Sequence, residues 1–385
     1  MLGGIIRLSV AGLLLLLSLM VLLPATEMVF WYVAILVTEL GHWFSLASLG
    51  VLVWEGQRKQ PNWLTIALGL ASLGFFLTPL VEAARIAQRL PGQLAGTFGA
   101  ANQPEFPRVP LSFLKLWAVT RAPMAREERY SFVAKDGSSL GLLYYSDGRA
   151  GAQPCLVIIH GGGWNTGDAG QFAGWSRRLA GLGWRVASID YRLAPKFRWP
   201  AQKEDVAAAL TYLKAHTAEL GIEPGKFVLL GRSAGGQIAL DAAYSLHDPA
   251  IRGCIASYAP TDMNFGYWTG KENDLIKSRP LIRDLMGGPP ADNVALYHDA
   301  SPLDFVGAES PPTLLVHGGR DEIVWVRHSE RLRDRLVQAG RPVFLLELPW
   351  ATHGFDVNPR GPGGQLEFYA MAWFLQSIGS ETMAR

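Results

Sequence analysis

Three long apolar runs within the first 81 residues constrain this chain more than any other feature. Residues 8–23, "LSVAGLLLLLSLMVLL", form the first. Met28 to Trp54 form the second, interrupted by Glu39 and His42. Trp63 to Val81 form the third and carry no charge. A helix needs about 20 apolar residues to cross about 30 Å of hydrocarbon. The second and third runs meet that length. The first meets it if the helix begins near Gly4 and Arg7 snorkels to the surface. The expectation is an all-α membrane domain over residues 1–81, with about three transmembrane helices. Two alternatives stay open. The first run has the look of a signal-peptide apolar region, with Arg7 before it and small residues after it. The three runs could also be core helices of a soluble domain.

Basic residues near the spans set the expected orientation. Arg7 precedes the first run, Arg58 and Lys59 lie between the second and third, and the connection "PATE" has no Lys or Arg. The ends holding Arg7 and Arg58/Lys59 should then be cytoplasmic, and everything after Val81 should emerge on the far side. Removing the first run as a signal peptide leaves the same outcome. Glu39 and His42, three positions apart, should share one helical face, where polar groups inside a span pair with each other or with a neighbouring helix.

Residues 82–127 read as a connector. It opens as a helical continuation, "EAARIAQRL", and contains the apolar stretch "LSFLKLW" at 111–117. That stretch either lies on the membrane surface or begins the next domain. Residues 128–385 then alternate between strand and helix patterns. "YSFVA" and "LGLLYYS" flank Asp136-Gly137, a hairpin signal. "CLVIIH" is a continuous apolar run, as a strand buried on both faces requires. "RVASIDY", "KFVLLG", "IRGCIASYAP", "PPTLLVHGG" and "RPVFLLELP" continue the strand set, with helical spacing between them. This predicts an α/β fold, a mainly parallel sheet covered by helices on both faces.

Charge excludes one class of partner. With 35 basic and 33 acidic side chains, a net +2, the chain has no balance suited to nucleic acid. Its two cysteines, Cys155 and Cys254, sit in strand-like apolar runs and read as small buried hydrophobes.

"GRSAG", residues 231–235, joins "KFVLLG" to a small-residue helix. That is G-x-S-x-G between strand and helix, where a sharp turn raises the serine hydroxyl above the sheet. A serine needs a base to take its proton. His353, in "LPWATHGFD", follows the final strand, and Asp321, in "TLLVHGGRDEIV", follows the strand before it. All three fall at strand carboxyl ends, where parallel sheets build their sites. Asp321 would hold the imidazole of His353 in the required tautomer. Asp262 and Asp356 are the competing acids; His317 and His160 read as packing or loop-shaping residues. The glycines of "HGGGW" then acquire a purpose. A carbonyl attacked by Ser233 becomes an oxyanion, and bare backbone N–H groups must already face it. Gly162, Gly163 and Ala234 are the expected donors.

At "HGGGW", "DYRLAP", "GRSAGG", "HGGRDEIV" and "THGF", in that order, the chain resembles the α/β-hydrolase superfamily. Within it, the likeness is to HGGG-containing esterases of the hormone-sensitive-lipase and feruloyl-esterase-like type. The resemblance implies a carboxylic ester hydrolase, an esterase or lipase without metal or organic cofactor. It carries nucleophile, acid and base onto Ser233, Asp321 and His353, and oxyanion glycines onto residues 161–163. By the same comparison Asp190 is structural. Lys196 stands where the family often has Glu, and most relatives lack three membrane runs, although some prenylcysteine methylesterases pair such a domain with amino-terminal spans.

Residues 262–301 form a long insertion, read as a cap or substrate loop. Its Phe265 and Trp268, with Trp164, are candidate substrate-binding residues, against the plain alternative of surface packing. The expected whole is a multi-pass membrane-anchored serine esterase, its catalytic domain outside the cytoplasm, acting on a small-molecule or lipid ester at the bilayer. An amidase or peptidase with the same triad, and a non-catalytic membrane binding protein, are the alternatives.

Overall fold

A computed structural model describes residues 2–100, 107–118 and 125–379. The amino-terminal part is helical: α1 (Leu2–Leu19), α2 (Met28–Glu39), α3 (Gly41–Gly56) and α4 (Trp63–Phe98). A short α5 (Phe113–Trp117) follows. The strands are β1 (Arg126–Val133), β2 (Ser139–Ser146), β3 (Gln153–Ile159), β4 (Arg185–Ile189), β5 (Ile222–Arg232), β6 (Ile251–Ser257), β7 (Thr313–Gly318) and β8 (Val343–Leu348). Between and after them lie α6 (Ala173–Ala180), α7 (Ala201–Ala215), α8 (Thr217–Leu220), α9 (Ala234–Ser245), α10 (Met263–Thr269), α11 (Ser278–Met286), α12 (Val294–Asp299), α13 (Arg327–Gln338) and α14 (Pro362–Gly379).

The strands form one 8-stranded sheet in the order β1-β2-β4-β3-β5-β6-β7-β8. β1 and β2 pair antiparallel, as do β2 and β4; every later pair is parallel. Alternation within single strands explains the continuous apolar runs. In β3, Cys155, Val157 and Ile159 face one core, while Leu156 and Ile158 face the other. In β5, Phe227 and Leu229 face the first, Val228 and Leu230 the second. Helices α7, α9 and α13 cover the first face; α6, α14 and the distal half of α4 cover the second. Both cysteines are buried and free, and burial pushes both thiols up, so neither is primed for chemistry.

The amino-terminal expectation needs correction. Among the described residues, α4 is the one helix long and apolar enough to cross a membrane. The second run is not a single helix. It breaks at Leu40, and α2 and α3 meet at 78°. At the break the packing is tight: a Cβ on Gly41 would lie 2.6 Å from the Phe76 carbonyl oxygen, so glycine is what lets the start of α3 press against α4. Glu39 and His42 therefore share no helical face. Glu39 closes α2 and turns to the sheet domain, while the His42 ring packs edge-on to Trp117 at 4.7 Å. Arg7 does not snorkel either. It is buried, and its Nε lies 2.5 Å from Glu55 Oε2 at the end of α3. Helix α4 runs on past Val81, and its Ala83, Leu90, Leu94 and Phe98 join the second core of the sheet domain. Residues 82–98 of the expected connector thus belong to this helix.

Candidate active site

Ser233 sits between β5 and α9 with φ 53° and ψ −123°. A residue other than glycine held there is strained, and such strain persists only where its surroundings over-determine it. They do here. A Cβ on Gly235 would lie 2.2 Å from the His160 carbonyl oxygen and 2.3 Å from that of Ile159. One on Gly231 would lie 2.0 Å from the Gly235 carbonyl oxygen. The two motif glycines let α9 start against β3 and aim its amino end above the sheet.

The Ser233 hydroxyl is 2.9 Å from His353 Nε2, and His353 Nδ1 is 2.7 Å from Asp321 Oδ2. His353 comes from the loop after β8, and Asp321 from the loop after β7. Asp321 is buried, and its Oδ1 accepts the backbone N–H groups of Ile323 and Val324 at 2.9 and 2.8 Å. Burial alone would raise its pKa. The charge of His353 and hydrogen bonds from His317 and His353 outweigh that and bring it to about 2. A hydroxyl, an imidazole and a fixed carboxylate in this order can move a proton from oxygen to ring nitrogen and hold the charge that forms.

The glycine loop stands beside this group. Gly162 and Gly163 have φ 114° and 58°, conformations that glycine enters freely. Gly161 is differently employed, its N–H donating to Gln171 Oε1 at 2.8 Å. Among the described residues, nothing accepts the backbone N–H of Gly162, Gly163 or Ala234. His160 shapes the loop from below: Nδ1 lies 2.7 Å from the Gly161 carbonyl, and the ring stacks on Tyr191 at 4.1 Å.

The competing acids are occupied elsewhere. Asp262 caps α10 through the Phe265 N–H and pairs with Arg331 at 2.8 Å. Asp356 pairs with buried Arg232 and accepts the Tyr258 hydroxyl at 2.6 Å. Asp190 accepts the Ala169 N–H at 2.6 Å and crowds Gly141. Lys196 lies over the Phe197 ring at 5.0 Å. His317 bonds Ser329 and the Val324 carbonyl, and its Nε2 reaches within 3.4 Å of Asp321.

A cavity opens beside the glycine loop, lined by Trp164, by Gly266 and Thr269 of α10, by Gly270 just after it, and by Leu281 and Ile323 among others. Trp164 is fixed through its Nε1, which donates to Gln237. Phe265 and Trp268 are not on this lining. Asp262 caps α10, which presents Gly266 and Thr269 to the cavity, with Gly270 following at its end. Phe265 turns to His328 and Arg331, and Trp268 is 65% exposed. Two neighbours carry no sequence signal at all. The Tyr258 ring meets that of His353 at 4.5 Å, and Trp31 of α2 donates to the His353 carbonyl at 3.1 Å.

A mainly parallel sheet with a strained serine after β5 and a histidine after β8 defines an α/β-hydrolase. A family profile described as BD-FAE matches residues 142–336, and the chain belongs to that family. Over 399 aligned residues it is 28% identical to the probable carboxylic ester hydrolase LipM of Mycobacterium tuberculosis, covering 91% of this chain and 88% of that one. It is 30% identical to the esterase LipC of the same organism over 236 residues, 58% of either chain. In fold it is similar to an esterase of Pyrobaculum calidifontis, with a TM-score of 0.60 at 22% identity over 76% of this chain and 93% of that one. A bacterial heroin esterase gives 0.60 at 23%, over 78% and 92%. The chain is a carboxylic ester hydrolase.

Proposed function

We propose that the protein is a membrane-anchored serine esterase working through an acyl-enzyme. Ser233 attacks the ester carbonyl while His353 takes its proton. Asp321 orients the imidazole and stabilises its charged form. The N–H groups of Gly162, Gly163 and Ala234 receive the oxyanion. His353 returns the proton to the departing alcohol, then activates water to release the acid. The observation that carries this reading is the unbroken line Ser233–His353–Asp321, at 2.9 and 2.7 Å. The cavity beside Trp164, next in sequence to Gly163, is where this reading places the acyl group.

The anchor rests on the amino-terminal helices. Leu13, Leu16, Leu46, Leu49, Val53 and Leu70 are exposed on α1, α3 and α4, an apolar surface that water does not tolerate over such an extent. Arg7 and Glu55 pair at one end of these helices, near Arg58 and Lys59, and the sheet domain lies at the other. By the distribution of basic residues, the catalytic domain is extracytoplasmic. An ester reaching it from the bilayer would be lipid-soluble.

Full-length protein in detergent, assayed on p-nitrophenyl esters of graded acyl length and the matching p-nitroanilides, tests the chemistry. Ester turnover without anilide turnover is expected; preferred anilide cleavage makes the protein an amidase. Alkaline carbonate washing of membranes tests the anchor, since release into the wash removes it.

A further inference from the structure

Helix α2 reaches the loop that carries His353, and we infer that Trp31 on this helix is a positioning residue for that imidazole. The inference rests on the triad assignment above. The Trp31 Nε1 donates to the His353 carbonyl at 3.1 Å, and among the described residues it is the one donor to that oxygen. Its ring also flanks the next residue. Gly354 takes φ 71°, and a Cβ built there would lie 3.7 Å from Trp31 Cζ2. Trp31 thus braces, from two sides, the peptide group that joins His353 to Gly354 and so fixes where the imidazole starts.

The rest of the segment from Leu23 to Glu39 holds the same loops. Glu39 accepts the Trp350 indole N–H at 3.3 Å and the Gly363 N–H at 3.1 Å. Asn358 donates to the Glu39 carbonyl at 3.2 Å. The chain between β8 and α14 is therefore fastened before, at and after His353. Arg320, next to Asp321, donates to the Leu23 carbonyl at 2.6 Å. Base and acid loops are tied to one short stretch of amino-terminal chain. Asp321 and the Tyr258 ring restrain the imidazole itself, but neither holds its backbone. A displacement of about 1 Å at a catalytic group costs on the order of 100-fold in rate, so the backbone anchor matters for turnover more than for affinity.

The test compares full-length Trp31→Phe, Trp31→His and Tyr32→Phe in detergent on p-nitrophenyl butyrate. Phenylalanine keeps an aromatic ring and removes the donor. We expect kcat to fall about tenfold, with KM within about twofold of the parent. Histidine restores a ring N–H and most of kcat. Tyr32 is exposed, and Tyr32→Phe stays at the parent level. The inference is overturned by an unchanged kcat in Trp31→Phe, by a loss carried wholly by KM, or by equal losses in both Trp31 variants. A Trp31→Phe chain that fails to fold also overturns it, because Trp31 would then be a folding residue. Ser233→Ala in the same assay separates the levels. If it is inert while Trp31→Phe is unimpaired, only the Trp31 inference falls; if it turns over normally, the triad assignment falls.

Discussion

Ser233→Ala is expected to lower kcat for p-nitrophenyl esters by on the order of 10⁵-fold while the protein stays folded. That corresponds to about 7 kcal/mol of transition-state stabilisation. The reason is local. The hydroxyl lies 2.9 Å from His353 Nε2, and no other described hydroxyl is bonded to that nitrogen. Alanine keeps the Cβ and the backbone at φ 53°, so the turn and its crowded glycines are undisturbed. A residual rate above water is expected, because oxyanion donors and binding contribute without the nucleophile. Thermal unfolding of the two proteins should coincide. A variant that is folded and loses less than tenfold would place the nucleophile elsewhere.

Asp321→Asn is expected to lower kcat by about 10⁴-fold, with KM nearly unchanged. The amide can fill the same space, but its NH₂ would face Nδ1 and favour the wrong imidazole tautomer. The backbone N–H groups of Ile323 and Val324 still find an acceptor oxygen, so the loop should persist. The same substitution carries a pH signature. The folded carboxyl titrates near 2, below the ordinary carboxylate value of 3.8. Stability from its ionised form is therefore complete above the unfolded value and is lost as pH falls through the folded one. Asparagine has no such loss. The gap in unfolding temperature between parent and Asp321→Asn should narrow as pH drops from about 5 toward 2. A constant gap would mean that Asp321 is not held ionised by His353.

Much of the sheet domain was legible because its signals are local. A continuous apolar strand, a glycine-flanked serine and a histidine beyond the last strand each follow from a few neighbouring residues. The structure brings Ser233, Asp321 and His353 within hydrogen-bonding distance, with the glycine loop beside them. What was not legible depends on partners remote in sequence. The break between α2 and α3 has no proline to mark it, and the close packing of Gly41 on the Phe76 carbonyl joins residues remote in sequence. Arg7 reads as a snorkelling cation because Glu55 lies 48 positions away. The contact from Trp31 to His353 spans 322 positions. By type Phe265 and Trp268 read as pocket residues, but α10 turns Gly266 and Thr269 to the cavity instead.

The central claim, covalent catalysis by Ser233, is tested most directly by trapping the acyl-enzyme. The full-length protein would be acid-quenched during turnover of a slowly deacylating p-nitrophenyl ester, digested, and mapped by mass spectrometry. The account predicts one added acyl group, on the peptide containing Ser233, absent from Ser233→Ala. An acyl group on any other residue, or active turnover with no acylated peptide at any time, would contradict it.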